Sequence, residues 1–229
     1  MKKKLICILL AAAFVFTLTG CKSTLRPALE EYARKSNIAE LDLSEMLDEE
    51  NGFHFGKIKW GMTLTEAGEA TESNVSSMLG YGPNDIVVYE SSLLIKILGR
   101  KNDSASVSTI LKQSDVYMIS FVFQYNEKYP DLEMPEQKLF EEYLPKLTET
   151  FGEPDDYREE TQTQERVSSL TKCYVWESET ADGKKTELQW SAAYISGADE
   201  PTLVTFGVVW YCDALLEAQE MQESAENAE

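Results

Sequence analysis

Histidine occurs once, at position 54, in a chain of 229 residues that holds only four cysteines. There is no His-Glu-x-x-His, no Cys-x-x-Cys, no Gly-x-Ser-x-Gly elbow and no phosphate-cradling glycine loop. These absences remove each strong sequence reason to name an enzyme, so no catalytic residue, metal ligand or cofactor is assigned. His54 lies between Phe53 and Phe55 with no spaced nucleophile or orienting acid, and reads as a surface or edge histidine. Basic residues are scarce too. The 21 Lys and Arg face 40 Asp and Glu, for a formal charge of −19. Such a chain repels nucleic acid and anionic surfaces and lacks the driving force for binding DNA or RNA. Its acidity suits cationic partners or Ca²⁺, or simply a self-repelling soluble surface. Part of the excess is tail, since Glu217 to Glu229 holds five glutamates and no basic residue.

Long apolar runs are limited to one. Lys2, Lys3 and Lys4 precede Leu5 to Leu18, the layout of a secretory signal. At fourteen residues that run is short for a spanning helix, which needs about 20. It ends Leu18-Thr19-Gly20-Cys21, which resembles the lipobox of bacterial lipoproteins. The resemblance implies that the Cys21 thiol receives a diacylglyceryl group, that the bond between Gly20 and Cys21 is cut, and that Cys21 becomes the new N-terminus. Two acyl chains, each adding about 0.8 kcal/mol per buried CH₂, make a firm anchor. The expected location is thus the outer side of a cell membrane, with the lipid on Cys21 as the membrane contact. Removing residues 1–20 deletes three lysines and no acid, which takes the formal charge from −19 to −22.

The rest divides by pattern. Residues 21–52 read as a tether carrying a short helix over Pro27 to Lys35, with docking of that helix on the domain as the competing reading. The folded part spans 53–212 in two halves, 53–128 and 129–212. Thr63-Leu64-Thr65-Glu66 fits a capping box, opening a helix that the pattern carries to about Leu79 before Gly80-Tyr81-Gly82-Pro83-Asn84 stops it. Three strands follow: Ile86 to Leu98, one through Val107, Thr109 and Leu111 to a turn at Gln113 to Asp115, and one in which Tyr117, Ile119, Phe121, Phe123 and Tyr125 alternate. The second half opens on a loop over Tyr129 to Pro135. A helix then buries Leu139, Phe140, Tyr143, Leu144, Leu147 and Phe151, with a kink or restart expected at Pro145. Strands at Arg166 to Glu177, Leu188 to Tyr194 and Val204 to Trp210 complete that half, with turns at Asp182-Gly183 and Gly197 to Pro201. Residues 213–229 form a short helix and a disordered acidic tail. The predicted fold class is α+β, a duplicated unit of helix plus three antiparallel strands with helices on one face of the sheet.

Gly61-Met62-Thr63-x-x-Glu66-Ala67, with Gly82-Pro83 and Phe151-Gly152-Glu153-Pro154, resembles the helix opening and stops of small outer-membrane-assembly-type lipoproteins. It is also similar to the tandem-repeat beta-lactamase inhibitory proteins. That resemblance implies the helices-plus-sheet unit and carries over no partner or inhibitory activity. Three residue groups remain. Cys173 and Cys212 are either a disulfide, which an extracytoplasmic compartment permits, or two buried thiols. Asp155-Asp156 and Glu159-Glu160 supply oxygens without the spaced loop of a Ca²⁺ site. Trp60, Trp176, Trp190 and Trp210 sit where core aromatics sit. The leading function is a lipid-anchored module that binds a protein or envelope component. An envelope hydrolase with a dispersed site and a small-ligand carrier are the alternatives.

Overall fold

The computed structural model describes residues 38–81, 86–110, 113–125, 135–164, 167–196, 202–217 and 220. The expected signal segment, Gly20, Cys21, the expected Pro27–Lys35 helix, all but the last residue of the expected Tyr129–Pro135 loop, the expected Gly197–Pro201 turn and the acidic tail from 221 lie outside them.

The described residues are mostly β. Strands β1 (Leu47–Asp48) and β2 (Gly52–Phe53) pair with each other, as do β5 (Lys96–Ile97) and β6 (Arg100–Lys101). The other eight are β3 (Val75–Tyr81), β4 (Ile86–Ser91), β7 (Ser104–Ile110), β8 (Gln113–Tyr125), β9 (Asp156–Gln164), β10 (Val167–Glu179), β11 (Lys185–Ser196) and β12 (Thr202–Trp210). They form one antiparallel sheet in the order β3-β4-β7-β8-β12-β11-β10-β9. Each half thus contributes four strands, and the halves join where β8 pairs with β12.

This overturns the expected pair of helix-plus-three-strand units with helices layered on the sheet. Helix α1 (Leu64–Thr71) has only eight residues, and its capping box between Thr63 and Glu66 forms as the sequence indicates. The helix stops because Glu72 turns left-handed, at φ 53°, and Ser73 N–H bonds back to the Gly68 carbonyl. Val75 onward is therefore strand β3 rather than a continuation to Leu79. The second unforeseen strand is β9, in the acidic stretch after α2 (Pro135–Phe151). Helix α2 runs unbroken through Pro145, which is exposed to solvent. The second strand ends at Ile110 and β8 begins at Gln113, so Gln113 to Asp115 belong to a strand rather than a turn.

One face of the sheet carries the main core. Val107, Ile119, Phe121, Phe123, Leu188, Trp190, Val204, Phe206 and Val208 point to this side. Over the second half it is covered by α2, whose Phe140 stacks on Trp190 at 5.8 Å and whose Tyr143 meets Trp190 at 5.2 Å and Phe206 at 6.3 Å. Over the first half it is covered by Met46, Phe53, Ile58, Ala67, Leu93, Ile95 and Ile97. Met46 is 1% exposed and Leu41 N–H donates to the Lys96 carbonyl, so the fold starts before residue 53. Tyr117 departs from its predicted face. Met118 pairs with Ser108 and Val116 with Thr109, leaving Tyr117 as the extra residue of a bulge that puts it in a second cluster with Val209 and Leu215.

Candidate functional site

The described residues frame an open cleft of about 390 Å³ beside the main core. It exists because α2 lies over β11 and β12 and leaves the last two strands of the sheet partly uncovered. Helix α2 contributes Phe140, Glu141 and Leu144, β9 contributes Tyr157, and β10 contributes Leu170, Lys172 and Tyr174. The three β10 residues are spaced by two, so the pleat places them on one face. Register brings Tyr174 opposite Tyr157 and Lys172 opposite Glu159.

The floor is aromatic. Tyr157, which is 46% exposed, lies 5.0 Å from Tyr174, and Tyr174 lies 5.7 Å from Phe140. Phe140 stacks in turn on the fully buried Trp190, whose Nε1–H donates to the Phe140 carbonyl at 2.9 Å. A continuous run of rings therefore connects the solvent-facing cleft to the centre of the core and fixes its walls. The Tyr157 hydroxyl donates to Glu159 Oε2 at 2.8 Å, which holds the ring across the opening. Lys172 makes no ion pair with any described residue. It lines the cleft together with Glu141, and its register partner on β9 is Glu159. A volume of this size, lined by rings, two leucines and a few polar groups, suits a small ligand or one or two side chains of a larger partner.

The residues singled out from sequence fall elsewhere. His54 is 4% exposed rather than superficial, and its Nε2 lies 3.1 Å from Asp48 Oδ2. Asp48 also accepts from the Asn51 amide at 2.6 Å and from Asn51 Nδ2 at 2.9 Å, while Trp60 Nε1–H donates to the Phe53 carbonyl at 2.8 Å. Burial pushes the Asp48 carboxyl up, but the Asn51 bonds and the neighbouring His54 reverse this and hold it below the usual value. The group ties the β1–β2 hairpin to the core. Trp176 and Trp190 are buried as expected, whereas Trp60 and Trp210 are only partly buried and stack on each other at 6.1 Å.

Cys173 and Cys212 are free and buried. Strand β11 runs between β10 and β12, a separation of roughly 10 Å that exceeds the reach of a disulfide. Cys173 faces Ser191, while the end of β12 faces Thr186 and Cys212 lies beyond it. Cys212 also leaves the face of Val204, Phe206 and Val208 and joins the cluster of Tyr117 and Met118. Burial pushes its thiol up, which makes it a poor nucleophile. The acidic quartet does not converge either. Asp155 Oδ2 accepts from the Glu177 amide, Asp156 pairs with Arg158, and Glu159 takes the Tyr157 hydroxyl. Among the described residues no cluster of His, Cys, Asp and Glu is arranged to hold a metal ion. None of their helices is long and apolar enough to cross a membrane.

The cleft residues Tyr157, Leu170, Lys172 and Glu141 were not singled out from sequence. Their signal was the period-two alternation of Leu170, Lys172 and Tyr174, together with a lone tyrosine in the polar run Asp156 to Gln164. Comparison with protein-family models, with curated proteins and with solved structures gives no match.

Proposed function

We propose that the protein is a lipid-anchored extracytoplasmic binding protein of a bacterial cell envelope. In this reading Cys21 is tied to the membrane, and the cleft beside α2 receives part of a protein or other envelope component. The observation that carries the binding assignment is the cleft itself, with its exposed Tyr157, its aromatic floor and Lys172 on its wall. Its walls are set by the core, so they are shaped before a ligand arrives and little ordering cost is added on binding. The Leu18-Thr19-Gly20-Cys21 sequence supports the anchored location.

Two measurements test the two parts separately. Metabolic labelling with palmitate should mark the wild-type chain, and Cys21→Ala should lose the label and leave the membrane fraction. Persistence of both in the variant removes the lipoprotein assignment. For the cleft, Leu170→Arg crowds the lining at a half-buried position. Immobilised wild-type protein should retain a solubilised envelope component in moderate salt, and the Leu170→Arg form should not. Equal retention by both places the binding surface elsewhere.

A further inference from the structure

We propose that the outer edge of β9 receives an added β-strand from a basic, extended polypeptide, with one of its aromatic or aliphatic side chains lying over Tyr157 at the mouth of the cleft. This deepens the binding assignment above and rests on it.

The two ends of the eight-stranded sheet differ as templates. Strand β3 meets β4 through two register shifts, and such bulges spoil an edge for further pairing. Strand β9 is nine residues long, contains no proline, and pairs with β10 through nine consecutive partners with no shift. Among the described residues nothing pairs with its other side. A regular edge of that length presents alternating N–H and C=O groups to an incoming strand. Charge selects which strand. Along its described side chains β9 carries Asp156, Glu159 and Glu160 against one cation, Arg158, and that guanidinium is already spent on Asp156 and Glu187. A second copy of this chain would bring the same acids into apposition on a molecule of formal charge −19, which opposes self-pairing. A basic strand is attracted instead. Its residue opposite Tyr157 lies on the cleft side, and so does the residue opposite Glu159, because these two share a face of β9. The partner sequence therefore holds an apolar residue and a Lys or Arg two positions apart, in the order that its strand direction sets.

The probe is a synthetic nonapeptide of threonine carrying one tyrosine and three lysines, titrated into the intact protein. Saturable binding is expected, weakened about tenfold or more by replacing its lysines with glutamate. In a strand, alternate amides face the same side. N-methylation of one alternate set should therefore abolish binding and methylation of the other set should leave it intact. The double variant Glu159→Lys with Glu160→Lys, which alters only exposed or half-exposed side chains, should reverse the preference toward the glutamate peptide at an unchanged melting temperature. Equal effects of the two methylation patterns, or indifference to charge, overturn the proposal. A peptide that fails while tyrosine amide still binds, and is displaced by Leu170→Arg, overturns strand addition but leaves the cleft as a binding site. Strand addition that ignores Leu170→Arg removes the cleft and keeps the edge.

Discussion

Arg158 and Glu187 form a two-pronged ion pair across an intervening strand. The guanidinium on β9 reaches past β10 and donates from Nη2 to Oε1 at 2.9 Å and from Nη1 to Oε2 at 3.3 Å of a carboxylate on β11 that is fully buried. Lys185 adds a contact at 2.9 Å and Gln189 Nε2–H another at 2.7 Å. The pair lies on the sheet face opposite α2, so it stitches the last three strands together where no helix does.

Removing Arg158 leaves the buried Glu187 with only Lys185 and Gln189, and breaking a buried pair typically costs about 3–5 kcal/mol. Arg158→Met is expected to destabilise by an amount of that order, and Arg158→Met with Glu187→Met by clearly less than the sum of the single changes. Urea titration of the four proteins gives the coupling. An additive result means the pair contributes no specific stabilisation.

The same carboxylate sets an acid limit. Burial pushes Glu187 up from its ordinary value of 4.5, and the bonds from Arg158 and Lys185 more than reverse this, so it ends below that value. The unfolded chain then takes up a proton before the folded one. The contribution is present in full above about pH 4.5 and is lost as pH falls through the depressed folded value. Melting temperature followed from pH 6 to pH 3 should drop more steeply in the wild type than in Glu187→Gln. Parallel curves would show that Glu187 does not titrate as described.

Gly52 is fixed twice over. Its φ is +59°, and a Cβ there would stand 2.4 Å from Thr186 Oγ1 and 3.0 Å from the Glu179 carbonyl oxygen. Thr186 accepts the Phe53 amide at 2.8 Å, so it has little freedom to move away. Gly52→Ala should cost about 1–3 kcal/mol, whereas Gly99→Ala shares the positive φ but meets no atom within 4 Å and should cost less. A smaller loss at Gly52 than at Gly99 would contradict this packing.

Cys173 and Cys212 should alkylate equally in denaturant with and without prior reduction, read as added mass. A gain on reduction would show that the strands can bring them together.

The strands of the large sheet that are legible in sequence are β4, β7, β8, β10, β11 and β12, because apolar runs and alternation survive where a core demands them. The two unforeseen strands are the sheet edges. Asp156 to Gln164 contains one apolar side chain, Tyr157, so no period stands out, and Val75 to Tyr81 follows a capped helix closely enough to read as its extension. Alternation alone puts Tyr117 on the wrong face, because a bulge breaks parity without leaving a trace in composition. The cleft was partly legible. Phe140 and Leu144 stood out as the apolar stripe of α2, but Lys172 and Tyr157 acquire meaning only once β9 lies beside β10.

Strand β12 is the last of the sheet to be synthesised, yet it lies in the middle, hydrogen-bonded to β8 on one side and β11 on the other. A nascent chain that has not yet released Thr202 to Trp210 lacks the strand that hydrogen-bonds to both β8 and β11. Closure of the molecule therefore waits for its C-terminal end, and a truncation before residue 202 removes the seam of the protein rather than a margin.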